Sequence, residues 1–146
     1  MARKKEIQTE IIIDAPKEKV WAVLTNFERF PQWNPFVIKL TGKPQAGARL
    51  EATLQPAGQK PTVFKPVVQQ CQKNEKLSWL GSMPLNMFNG YHYFNIEEID
   101  NHKIKFIHGE KFTGWLSGPI LKKVGDATRE GFIAMNKALK DRLEQT

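Results

Sequence analysis

A chain of 146 residues with 40% hydrophobic and 25% charged side chains has the composition of an ordinary globular domain. Its length suits one domain able to bury about 70% of its unfolded surface. Its single cysteine, Cys71, excludes an intramolecular disulfide and a cysteine-rich zinc site. The net charge of +7 admits a nucleic-acid or anionic-membrane surface. Basic residues are scattered, however, from Arg3, Lys4 and Lys5 to Lys137 and Lys140, and acidic residues interleave with most of them. A solvated surface with no nucleic-acid partner is the expectation. No apolar run approaches the ~20 residues of a membrane span, and the first ten residues lack the apolar segment of a signal peptide. A reduced, cytoplasmic protein is expected.

Residues 6–14 alternate as a first strand, with Ile7, Ile11 and Ile13 on one side. Ala15-Pro16 stops it, and Pro16 suits the first turn of a helix, where no amide bond is lost. Val20, Leu24 and Phe27 then recur at helical spacing over residues 17–27. A second short helical segment, 28–33, is closed by Asn34-Pro35, because the residue before a proline is pushed toward extended geometry. Strands are predicted at 36–40, 49–55, 62–72 and 76–81, with Pro66 at an edge or bulge of the third. Residues 82–89 form an apolar loop.

The longest alternation follows, over 88–114, broken at Asp100-Asn101 into a hairpin. One face carries His92, Phe94, Ile96, Ile104, Phe106, His108, Glu110 and Phe112. The other carries Tyr91, Tyr93, Asn95, Glu97, Lys103, Lys105 and Lys111, and is expected to be wet. Pairing Ile96 with Ile104 sets His92 opposite His108 and Gly90 opposite Glu110. After Gly114 the period becomes 3.6. Leu121, Val124, Thr128, Phe132, Met135, Leu139 and Leu143 make one stripe of a helix of about seven turns. Gly125 and Gly131 within it permit a bend or a close approach. The order predicts an α+β fold, a curved antiparallel sheet of about seven strands wrapped on one long helix.

Four stretches carry a resemblance. Ile13-Asp14-Ala15-Pro16-Lys17-Glu18-Lys19-Val20-Trp21 and Phe27-Glu28-Arg29-Phe30-Pro31-Gln32-Trp33-Asn34-Pro35 resemble the opening of the START-like, or SRPBCC, superfamily. His108-Gly109-Glu110-Lys111-Phe112-Thr113-Gly114 and Met135-Asn136-Lys137-Ala138-Leu139-Lys140 are similar to its polyketide cyclase/dehydrase branch. The resemblance spans essentially the whole chain. It implies the helix-grip fold and a cavity for an apolar small molecule, in a superfamily that mixes carriers, receptors and aromatase/cyclases, so fold alone does not settle activity.

Two constellations follow. His92, His108 and Glu110 share the core face, where they are candidates to orient a ligand carbonyl, to act as acid and base, or to serve as a hydrogen-bonded polar cluster. A two-histidine, one-carboxylate metal set is the weakest of these readings. Trp33, Phe36, Phe64, Trp79, Phe88, Phe94, Phe106, Phe112, Trp115 and Phe132 converge on the helix, as plain core or as a pocket wall, and Met83, Met87 and Met135 would let such a wall adapt. Together they predict a binding site for a lipid, polyketide or aromatic metabolite with no obligatory cofactor or metal. A cyclase or dehydratase is the alternative. Neither Cys71 nor any serine has the context of a nucleophile.

Overall fold

The structure, a computed structural model, describes residues 5–145. Arg3, Lys4 and the start of the N-terminus read as leaderless lie outside them. Strand β1 (Lys5–Ile13) leads to α1 (Lys17–Thr25), a 3-10 turn (Phe27–Gln32) and β2 (Val37–Thr41). Strands β3 (Glu51–Leu54), β4 (Thr62–Phe64), β5 (Val67–Gln72) and β6 (Lys76–Ser82) follow. A short 3-10 turn, Pro84–Asn86, precedes β7 (Asn89–Asp100), β8 (Lys103–Thr113) and α2 (Ser117–Glu144). Eight antiparallel strands thus curve around one helix of 28 residues, ~42 Å long at 1.5 Å per residue. This is the helix-grip fold. Among the described residues no helix is long and apolar enough to cross a membrane.

The strands form two ladders where one was expected, a five-stranded sheet in the order β1-β8-β7-β6-β5 and a three-stranded sheet β2-β3-β4. Pro66 explains the split. Lacking an amide hydrogen it cannot continue a ladder, so the single strand expected over 62–72 becomes β4 in one sheet and β5 in the other. The sheets stay joined through the Arg49–Val67 bridge, Leu50 N–H to the Pro66 carbonyl (2.7 Å) and Val68 N–H to the Ala48 carbonyl (2.8 Å).

The hairpin register also differs from expectation. Asp100 Oδ1 accepts the His102 amide at 2.8 Å, which moves the turn onto Asn101-His102 and leaves a bulge between Glu98 and Asp100. Ile96 therefore faces Phe106, His92 faces Glu110 and Phe94 faces His108. The slip is two residues, so every side chain keeps its predicted face. The outer face is drier than predicted. Tyr93 is buried there, its hydroxyl donating to Glu6 Oε2 (2.6 Å) and accepting from Gln8 Nε2 (2.8 Å). Burial and the Glu6 bond push the Tyr93 phenol up to about 12.

On α2, Thr128, Phe132, Met135 and Leu139 are buried against the sheet, while Leu121, Val124 and Leu143 are only half-buried. Burying each of the larger side chains contributes about 1.5–3 kcal/mol. Gly131 is needed for close approach. A Cβ there would stand 2.5 Å from the Phe36 ring, so the ring of the residue just before β2 packs directly on the helix backbone. Asn34 sets up that ring. Its side-chain oxygen accepts the amides of Phe36 and Val37, both at 2.9 Å, and turns the chain into β2.

Candidate functional site

Between the N-terminal half of α2, the three-stranded sheet and the open end of the hairpin lies a cavity of about 610 Å³. Its wall is largely apolar. Ala52, Leu54 and Phe64 come from the small sheet, Trp79 and Phe112 from the large one, and Ile120, Leu121 and Val124 from α2. The polar end is formed by His92 and Glu110. His92 is 1% exposed and lies between two rings, stacked on Trp79 at 5.3 Å and facing Phe36 at 6.3 Å.

A chain of hydrogen bonds runs inward from the cavity. Glu110 Oε1 lies 3.3 Å from His92 Nδ1, His92 Nε2 lies 2.7 Å from His108 Nε2, and His108 Nδ1 lies 2.9 Å from Asn136 Oδ1. Asn136 Nδ2 donates to Thr9 Oγ1 (2.8 Å), whose hydroxyl donates to the His108 carbonyl (2.9 Å). These partners fix the protons. With Thr9 taking the amide hydrogens, Asn136 presents an oxygen, so His108 must carry its proton on Nδ1. Burial, reinforced by the neighbouring His92, holds the His108 imidazole well below the ordinary histidine range, so it is neutral and its Nε2 is bare. His92 Nε2 then has to be the donor. That leaves His92 Nδ1 facing the Glu110 carboxylate oxygen, and the cavity ends in this His92–Glu110 pair. Asn136, five residues after Gly131 on α2, anchors the relay from the far side of the core.

Of the residues predicted to form the site, Phe36, Trp79, Phe88, His92, Glu110 and Phe112 line the cavity. Phe94, Phe106, His108, Phe132 and Met135 do not. They are buried in the solid half of the core, with Phe132 stacked on the His108 ring at 4.1 Å. Trp33 is half-buried against Phe30, and Met87 is half-buried in the loop before β7. Trp115 is 65% exposed, its indole donating to the Leu85 carbonyl at 3.2 Å. The two ring nitrogens of His108 are engaged by Asn136 and His92, so the trio is a hydrogen-bonded relay with no free histidine lone pair at its inner member. Cys71 is half-buried, gives its Sγ–H to the Pro44 carbonyl, and burial pushes its thiol up, away from nucleophilic use.

Of the small sheet the sequence offered only Phe64 as a wall residue, and it missed Ala52, Leu54 and the relay's inner end. Ala52 and Leu54 alternate inward, and Leu121, Val124 and Thr128 stand on the helical stripe, and all of these also line the cavity. Thr9 and Asn136 carried a faint signal as polar residues inside apolar stripes, between Ile7 and Ile11 and between Met135 and Leu139.

Known structures share this architecture. A START superfamily protein from Mycobacterium smegmatis superposes with a TM-score of 0.72 at 22% identity, covering 96% of this chain and 97% of that one. The Zhui aromatase/cyclase from Streptomyces sp. R1128 gives 0.78 at 11% identity over 98% and 95%. Norcoclaurine synthase from Thalictrum flavum, in complex with dopamine and hydroxybenzaldehyde, gives 0.73 at 14% over 98% and 88%. At these identities the likeness is one of fold. No curated protein matches the sequence. The family model described as polyketide cyclase / dehydrase and lipid transport matches residues 4–146, and with its START-like helix-grip architecture the chain belongs to that family.

Proposed function

We propose that the protein binds an apolar small molecule in the cavity between the sheet and α2. The observation that carries this reading is a cavity of about 610 Å³, within the roughly 300–1,000 Å³ of small-molecule sites, walled mostly by apolar side chains with the His92–Glu110 pair at one end. The rings of Trp79, Phe88 and Phe112 supply the apolar contact, and Glu110 with His92 meets one hydrogen-bonding group of the ligand. Native mass spectrometry of the purified protein and titration with apolar fluorescent dyes test it. Stoichiometric binding is expected, weakened at least about tenfold by Leu54→Trp, which fills the space. Absence of any bound apolar molecule in both measurements would sink the reading.

A second reading, a cyclase or dehydratase acting on a polyketide-like substrate, is supported by one observation. Glu110 is turned toward the cavity and paired with His92, not drawn off to a surface lysine. A carboxyl beside an imidazole can give a proton to a leaving hydroxyl or take one from an acidic carbon. Incubation with a linear poly-β-ketone thioester, followed by mass, would show loss of water abolished by Glu110→Gln. No turnover above the uncatalysed rate leaves binding alone.

A further inference from the structure

The two ends of the molecule differ in charge in a way the scattered lysines of the sequence conceal. No acidic residue occurs between Ala52 and Asn74, between Lys76 and Ile96, or between Lys111 and Gly125. These segments supply the cavity wall and its rim. Ion pairs gather at the opposite end, around the hairpin turn and the C-terminus of α2, where Lys17, Lys103, Lys105 and Lys140 meet Glu98, Asp14, Glu10, Glu97 and Glu144. Lys60, Lys65, Lys122 and Lys123, all exposed, form no ion pair among the described residues. Asp126 is the first acidic residue on α2.

The same end carries the most exposed large apolar side chains of the described residues. Leu85 is 85% exposed and Trp115 65%, joined by the indole-to-carbonyl hydrogen bond. Met83, 39% exposed, stands beside them on the cavity rim. Leu85 is also held at φ 59° with Asn86 at φ 54°. A leucine in the left-handed region is strained, and here the strain displays the side chain instead of burying it. Sustained strain of this kind concentrates at functional segments.

We propose that this end of the molecule docks on an anionic lipid surface, with Leu85 and Trp115 entering the interface and Lys60, Lys65, Lys122 and Lys123 facing the lipid phosphates. A projecting leucine beside an indole matches the layer where apolar tails meet headgroups. Unpaired lysines around it match the diffuse negative charge above. The cations are of the kind that suits a lipid surface. Lysine outnumbers arginine there, Arg49 being tied to the Lys65 carbonyl at 3.1 Å, whereas bidentate phosphate recognition in nucleic acids favours arginine. The inference does not depend on what occupies the cavity, although Met83 places the mouth against the same surface.

Co-sedimentation of the full chain with phosphatidylcholine vesicles, with and without about a third phosphatidylglycerol, tests it. Binding is expected only to the anionic vesicles and should fall away toward 1 M salt, where the screening length shrinks to about 3 Å. Leu85→Asn with Trp115→Ser should lower partitioning at least about tenfold, and Lys122→Glu with Lys123→Glu by about as much. Leu85→Asn should leave the melting temperature equal or higher, because asparagine tolerates the left-handed backbone, so lost binding cannot be charged to misfolding. Failure to bind anionic vesicles at low salt overturns the proposal. So does binding that survives the Leu85/Trp115 double variant and is fully competed by polyaspartate or duplex DNA, which would mark a general polyanion surface.

Discussion

The concave face of the β7–β8 hairpin serves two purposes along its length. Toward the turn, Phe94, Ile96, Ile104 and Phe106 are buried under α2, and Phe132, Met135 and Leu139 are fully buried in the same core. Toward the open end, Phe112, Glu110 and His92 look into about 610 Å³ of space. One alternating pattern thus builds a solid core and a cavity wall, and the imidazole pair sits at the boundary. The difference lies across from the hairpin. The lower half of α2 presents large side chains, whereas Ile120, Leu121 and Val124 stand over the small sheet, which is too far away to close on them. The solid half holds His92 in place at the edge of the open half, through Asn136 and His108.

Truncation should separate the two halves most sharply. Phe132→Ala removes a fully buried ring that touches Phe36, His92 and His108, and should cost about 3–5 kcal/mol in guanidinium unfolding. Phe88→Ala, half-buried on the cavity wall, should cost under about 1.5 kcal/mol, since little packing is lost. Equal costs would mean that the cavity half is packed as tightly as the other. Asn136→Ala comes next. It strands the buried His108 N–H and should destabilise by about 1–3 kcal/mol, and nitrogen chemical shifts of the imidazoles should show His108 losing its single fixed tautomer.

The pH dependence is smaller and its sign is definite. An unfolded histidine titrates near 6.5, while folded His108 is held well below that by burial and by His92. The unfolded chain therefore binds the proton first. Stability from neutral His108 is complete above about pH 6.5 and falls on acidification below it, by at most about 1.4 kcal/mol per pH unit. His108→Gln should flatten that limb of the unfolding curve; an unchanged slope would place the titration elsewhere. Least disruptive is Gly90→Ala. The added Cβ would run into the Glu110 carboxylate, which lies over Gly90 on the neighbouring strand. Because the carboxylate is the end of a flexible chain, stability should change by under about 1 kcal/mol, while the His92 imidazole resonances move as its Glu110 contact is lost.

The sequence was legible where a period repeats. Strand and helix alternations over 6–14, 88–114 and 117–144 were long enough to place both ends of the grip. The hairpin's faces were readable for the same reason, but its register was not, because one side-chain acceptor, Asp100, decided where the turn fell. Pro66 was visible as a defect in a ladder, yet whether it ended a strand or merely bent it depended on the Arg49–Val67 bridge far off in sequence. The site was half legible for a related reason. Residues such as Leu121 and Val124 have the periodicity of core, and only the distance to the opposite wall turns them into lining.

That wall has a mechanical consequence. The β2-β3-β4 leaf meets the main sheet through the few backbone bonds flanking Pro66, and its outer loop rests on α2 through one bond, Ala57 N–H to the Ala127 carbonyl at 3.2 Å. Tilting the leaf about that seam would change the interior volume while every ladder bond of the five-stranded sheet stays intact. A leaf that tilts as a ligand enters will show it in the exchange rates of the amides of Thr62, Val63 and Phe64, which then change with occupancy while those of the five-stranded sheet do not.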